Sequence, residues 1–211
     1  MKRIVFIAGH YGSGKTEVVM NLSIKEKVDV VVDLDVINPY FRSREKETFL
    51  DEHDIEVIST DLERGIHADV PYISGRVHKP FRDTSLRAIF DLGGNDLGAK
   101  LLKQFEGEEP FDVFMVVNTK RYETDDENKI IRILESIEYA GSQPVTGLIH
   151  NTHLLEETTP SMIYDGEEII LRVSDERGIP IMYSCIPENI VIDETKLNGE
   201  VLRLHRHMTH I

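Results

Sequence analysis

Short apolar runs and longer amphipathic stretches alternate along this chain. The runs are Ile4–Ala8, Val28–Val32, Ile55–Ile58, Leu86–Phe90, Val113–Val117, Val145–Ile149 and Ile179–Ser184. They are rich in Val and Ile with little polar alternation, the pattern of parallel strands covered on both faces. Between them, the spacing predicts helices over Lys15–Glu26, Arg44–His53, Asp96–Phe105, Asp125–Ala140 and Pro160–Arg177, and a last one from about Glu194. Repeated strand–helix alternation predicts a doubly wound α/β domain, with a mostly parallel sheet, helices on both faces and right-handed crossovers. No linker, repeat or low-complexity tract divides residues 1–211, so they read as one domain. The least regular stretch, Thr60–Ser85, reads as a long connection carrying a short helix, with a lid or partner surface as the alternative. Its Arg76, His78, Lys79 and Arg82 read as solvated.

Composition narrows the class. The 211 residues are 40% hydrophobic and 29% charged, ordinary values for a globular domain. Lys and Arg number 24 against 38 Asp and Glu, a net charge of −14, which argues against nucleic-acid or anionic-membrane binding. The single cysteine, Cys185, forms neither an internal disulfide nor a paired-cysteine metal site, and fits a reducing compartment. No apolar run reaches membrane-spanning length. These features predict a soluble, cytoplasmic protein.

The segment GHYGSGKT, residues 9–16, brings in the chemistry. Gly9, Gly14, Lys15 and Thr16 match the phosphate-loop pattern, directly after a predicted strand and opening a predicted helix. Its glycines let backbone N–H groups from Gly12 through Ser13 and Gly14 to Thr16 point at phosphate oxygens, and the helix N-terminus adds partial positive charge. Lys15 reaches the β- and γ-phosphates, the Thr16 hydroxyl meets Mg2+, and Glu17 follows in the first helical turn.

Ligands of open parallel sheets bind beyond the carboxyl ends of strands. Those ends carry Asp33 and Asp35, Asp91 before Gly93-Gly94, Asn118, Asn151, and the Pro187-Glu188-Asn189 segment. Asp91 and Asp33 suit the metal side, and Asp35 suits the orientation of an attacking water. The paired glycines can bring a backbone N–H to a γ-phosphate. Neither NTKR (118–121) nor NTHL (151–154) supplies the Lys-x-Asp of a guanine reader. Adenine is therefore favoured, with Asn151 and residues 187–189 lining it.

This series of motifs resembles the MinD/ParA-type ATPases of the SIMIBI class of P-loop NTPases, from Gly9 to about Leu202. The resemblance implies an ATPase that uses Mg2+ and ATP, hydrolyses slowly to ADP, forms a nucleotide-dependent homodimer and regulates or loads a protein partner. Lys15 and Asp35 would then be the catalytic pair. His10 departs from the family, which places a signature lysine there that reaches across the dimer. A neutral imidazole donates one hydrogen bond but holds no permanent charge at pH 7; Arg42 or Arg44 are alternative sources. The carboxyl-terminal stripe Leu197, Val201, Leu204 and Met208 reads as a helix docked on the sheet rather than a membrane anchor. His205, His207 and His210 form only a weak transition-metal pattern. A phosphotransferase acting on a small acceptor and a non-hydrolysing nucleotide sensor are the other functions this loop serves.

Overall fold

The computed structural model describes residues 1–35, 44–59, 75–94 and 96–207. Eight strands form one sheet: β1 (Ile4–Ala8), β2 (Val30–Leu34), β3 (Glu56–Ser59), β4 (Ala88–Leu92), β5 (Asp112–Val117), β6 (Gly147–His150), β7 (Ile181–Pro187) and β8 (Glu200–Leu204). Their spatial order is β3-β2-β4-β1-β5-β6-β7-β8, and every described pairing is parallel. Among the described residues the α-helices are α1 (Lys15–Lys25), α2 (Arg44–Asp51), α3 (Lys79–Arg82), α4 (Asp96–Lys100), α5 (Glu127–Gly141) and α6 (Pro160–Arg177).

Alternation along the strands splits the core into two layers. Ile4, Phe6 and Ala8 of β1 join Phe90, Phe105, Leu134 and Ile170 on one face. Val5 and Ile7 join Val18, Met20, Leu22 and Leu50 on the other. Buried on both sides, the strands are continuously apolar, as their sequence predicts. Helix ends follow local chemistry. The Asp126 carboxylate accepts from Lys129 N at 2.9 Å to start α5, and the Thr159 hydroxyl accepts from Met162 N to start α6, before Pro160. Gly178 closes α6 at φ 64°.

Three expectations change. The terminal helix is a strand: β8 lies beside β7, with Leu202 buried. Asn198-Gly199 breaks a helix there, and a Cβ on Gly199 would stand 2.6 Å from the Tyr183 carbonyl carbon. Without β8, β7 would present an unpaired edge, and pairing outweighs the helical stripe. Second, β2 and β4 run two residues further than their apolar cores, so Asp33 and Asp91 sit inside strands. Third, the predicted helix Asp96–Phe105 divides into α4 and a tighter turn over Leu101–Phe105. Of the 60–85 stretch, residues 60–74 lie outside the described part; the expected short helix is α3. His78 and Lys79 there pair with Glu108 and Glu56. Arg42 and the Arg44 side chain also lie outside it, as do Met208 and His210. No helix among the described residues is long and apolar enough to cross a membrane.

Candidate nucleotide site

The loop from Gly9 to Thr16 links β1 to α1 at the carboxyl edge of the sheet. Gly9, Gly12 and Gly14 all adopt positive φ, at 144°, 75° and 85°. Close approach adds a second requirement: a Cβ on Gly9 would stand 2.6 Å from Val116 O, and one on Gly14 2.4 Å from Asn151 Nδ2. A side chain at Gly9 would press on the β5 backbone, and one at Gly14 would push aside the Asn151 amide.

Charge is concentrated beneath the loop. Thr16 Oγ1 donates to Asp91 Oδ2 at 2.8 Å. Asp33 and Asp91 are register partners on β2 and β4, and both are buried. Burial pushes the Asp91 carboxyl up to about 7, with Asp33 adding to the rise and Lys15 and the Thr16 hydroxyl opposing it. Asp91 Oδ1 is buried with no hydrogen-bond partner among the described residues. Lys15 is buried too, which lowers its pKa against the pull of Asp91 and Asp35, and its Nζ donates to His10 O at 3.2 Å. Asp35 lies half-buried at the mouth, its backbone N–H on Asp33 Oδ1 at 2.9 Å. The orphaned oxygen beside a hydroxyl and a second carboxylate fits Mg2+, which takes few protein oxygens and leaves room for phosphate and water.

The remaining predicted residues divide. Asn151 is at the loop, but its Nδ2 donates to Ser13 O at 2.8 Å, so it braces the loop. Glu17 faces away along α1, where Oε1 accepts from His207 N at 2.6 Å. Pro187 ends β7, the Glu188 carboxylate pairs with His205 Nδ1 at 2.5 Å, and Asn189 is exposed. The Asn118 side chain ties its own loop to the next, accepting from Lys120 N and His153 N. His10 Nδ1 lies 3.0 Å from Tyr11 O. The His207 ring packs at a tilt against Phe49; no group of three metal-binding side chains occurs among the described residues, and His210 lies outside them.

Two residues at the loop have no counterpart in the sequence reading. Arg121 Nε donates to Gly12 O at 3.0 Å from outside the cradle. His153 lies beside Gly14, and burial pushes its pKa down to about 4, helped by Arg121 and Arg206. The cue was their place just after β5 and β6, beside the asparagines already singled out.

No protein-family model matches the chain. One curated relative, proline–tRNA ligase of Methanopyrus kandleri, is 33% identical over 79 residues, which is 37% of this chain and 15% of that protein. Among solved structures, chloroplast FtsY from Physcomitrella patens superposes with a TM-score of 0.56 at 16% identity, covering 96% of this chain and 61% of that one. The signal recognition particle receptor FtsY from Elizabethkingia anophelis, in complex with GDP, gives 0.51 at 15% identity over 96% and 60%. The signal recognition particle 54 kDa protein from Aeropyrum pernix K1, also with GDP, gives 0.51 at 16% identity over 92% and 42%. This chain thus spans less than two thirds of each of these proteins. What the likeness establishes is architecture: an eight-stranded parallel α/β sheet with the P-loop NTPase fold, shared with these SIMIBI-class structures.

Proposed function

We propose that this chain is a MinD/ParA-type nucleotide switch. It binds Mg2+ and ATP at the phosphate loop, hydrolyses slowly, and uses its two states to regulate or load a protein partner through a nucleotide-dependent homodimer. The reading rests on the Thr16 hydroxyl bonded to the buried Asp91 carboxyl, whose other oxygen lacks a partner, directly under a glycine-rich loop.

Thr16, Asp91 and Asp33 would hold the Mg2+, which when bound neutralises charge on the terminal phosphates. Lys15 would exchange His10 O for phosphate oxygens, joined by the N–H groups of Gly12 to Thr16. Asp35, at the open mouth, would orient the attacking water. Asn151 keeps the loop in shape from the base side, where residues 187–189 would line adenine. Guanine is the second reading, favoured by the GDP in two structural neighbours; the missing Lys-x-Asp favours adenine.

Equilibrium titration with labelled ATP and GTP, plus phosphate release under single turnover, tests this. Lys15→Ala should weaken binding by roughly two orders of magnitude. Asp35→Ala should bind normally and lose phosphate release. Tight binding by Lys15→Ala would remove the loop assignment. Normal turnover by Asp35→Ala would move the water role to another group. Preference for GTP would replace the adenine reading.

A further inference from the structure

Beside the phosphate cradle, the carboxyl edge of the sheet opens into a second space, a cavity of about 610 Å3. It lies between Gly9–Tyr11, the Gly93–Gly94 turn after β4, α4 and α5. No residue from Gly12 to Thr16 lines it; it borders the outer side of the loop at His10 and Tyr11, and the Gly93–Gly94 turn stands between it and the place of a γ-phosphate. Leu92, Ile133 and Ile137 give it apolar walls, and His10 and Lys100 supply polar nitrogen. None of its described lining residues is acidic, in a chain whose net charge is −14. Lys100 is exposed, and none of the ion pairs of the described residues engages it. A space of this size with apolar walls and few cationic groups matches a site for a small amphipathic anion.

Gly94 divides the two spaces. A Cβ there would stand 2.8 Å from Lys15 Nζ and 2.9 Å from the Tyr11 Cα, so the turn rests directly on the loop. Behind it, a Cβ on Gly98 would come within 2.2 Å of Gly93 O, which locks the turn to α4. Lys15 needs room to turn toward a triphosphate, and Gly94 occupies part of that room. Displacing Gly94 carries α4, and with it Ala99 and Lys100 on the cavity wall.

We propose that this cavity binds a small organic anion with an apolar body, a short-chain or aromatic carboxylate in chemical class, and that the Gly93–Gly94 turn couples its occupancy to the phosphate cradle. The anionic end pairs with Lys100 and His10, and the body lies on Leu92, Ile133 and Ile137. The site stands on the cavity itself; the coupling rests on the nucleotide reading above.

The full chain is titrated with anilinonaphthalenesulfonate, an aromatic anion, and with neutral phenylnaphthylamine, by fluorescence, with and without saturating MgADP. Saturable binding of the anion at one site should persist in MgADP and exceed that of the neutral probe about tenfold. Lys100→Glu and Ile137→Trp should each weaken it about tenfold. Loss of the signal in MgADP would assign the probe to the nucleotide cradle and overturn the site. Equal binding of both probes, or no effect of Lys100→Glu, would overturn it as well. Lys100 is exposed, so its variant decides the matter even if Ile137→Trp fails to fold. A slowly hydrolysed ATP analogue should shift the probe's affinity roughly threefold relative to MgADP; an identical affinity would overturn the coupling, and complete loss of binding with the analogue would assign the cavity to the γ-phosphate and overturn the site. Failure of any nucleotide to bind would remove the proposed function, while the probe titration would still report on the site.

Discussion

Sealing a carboxyl group beneath a loop makes Asp91 a cost to the nucleotide-free protein. Its folded pKa is raised to about 7 by burial, with Asp33 adding to the rise, from an ordinary value of 3.8. Between those limits the folded state holds a proton that the unfolded chain has released, so stability falls as pH rises from about 4 to 7 and then levels. Asp91→Asn should therefore stabilise the nucleotide-free protein at pH 8 by an amount on the order of a few kcal/mol. The gain should shrink steadily toward pH 4. Urea melts at several pH values check this, and a gain independent of pH would mean that ionisation of Asp91 is not its source. The same variant should lose Mg2+-dependent nucleotide binding. Thr16 and Asp91 were legible in the sequence because loop spacing and a strand-borne acid define them. The bracing roles of Asn151 and Arg121 were not, because their partners are the carbonyls of Ser13 and Gly12, and no side-chain pattern encodes a carbonyl.

Individual elements show the same division. Strands β1 to β7 and helices α1, α5 and α6 follow from apolar runs and caps that act locally. Strand β8 does not, because its conformation comes from the edge of β7 rather than from its own periodicity. Its approach is held by a buried polar knot. Glu167 on α6 accepts from Ser184 Oγ at 2.9 Å and Asn198 N at 2.6 Å, and lies 2.5 Å from His150 Nδ1. Burial pushes the Glu167 pKa up, but His150, Asn198 and Ser184 outweigh it and hold the pKa low. A depressed carboxylate contributes stability above its unfolded pKa and loses it as pH falls through the folded one. Glu167→Gln should cost about 3 kcal/mol at pH 7, as expected for breaking a buried pair. The deficit should narrow below the ordinary carboxylate range near pH 4; chemical denaturation at the two pH values measures it. An equal deficit at both would assign the effect to packing.

Across the whole molecule, net charge is −14, yet the rim of the glycine-rich loop carries aromatic and basic groups. Tyr11 and Tyr122 are 69% and 77% exposed there, and Arg121 lies between their loops. Large exposed aromatics beside a ligand mouth suit a surface that is covered in one state of a switch. Light scattering in Mg2+ should find a monomer with ADP and a dimer with a slowly hydrolysed ATP analogue. A monomer in both would mean that His10 and its neighbours do not replace the signature lysine. Alternation of strands and helices implied a parallel, doubly wound sheet with right-handed crossovers, but not the strand order, in which β4 lies between β2 and β1.

The segment after β8 crosses α1 at its first turns. His205 exchanges two hydrogen bonds with Asn21, and His207 N donates to Glu17, the residue after Thr16 and 190 positions away in sequence. Mechanical load applied at residue 207 would therefore arrive at the helix of the phosphate loop before β8 peels from β7. The segment after β8 is a handle on α1, and a pull there would be felt first at Glu17, the neighbour of Thr16.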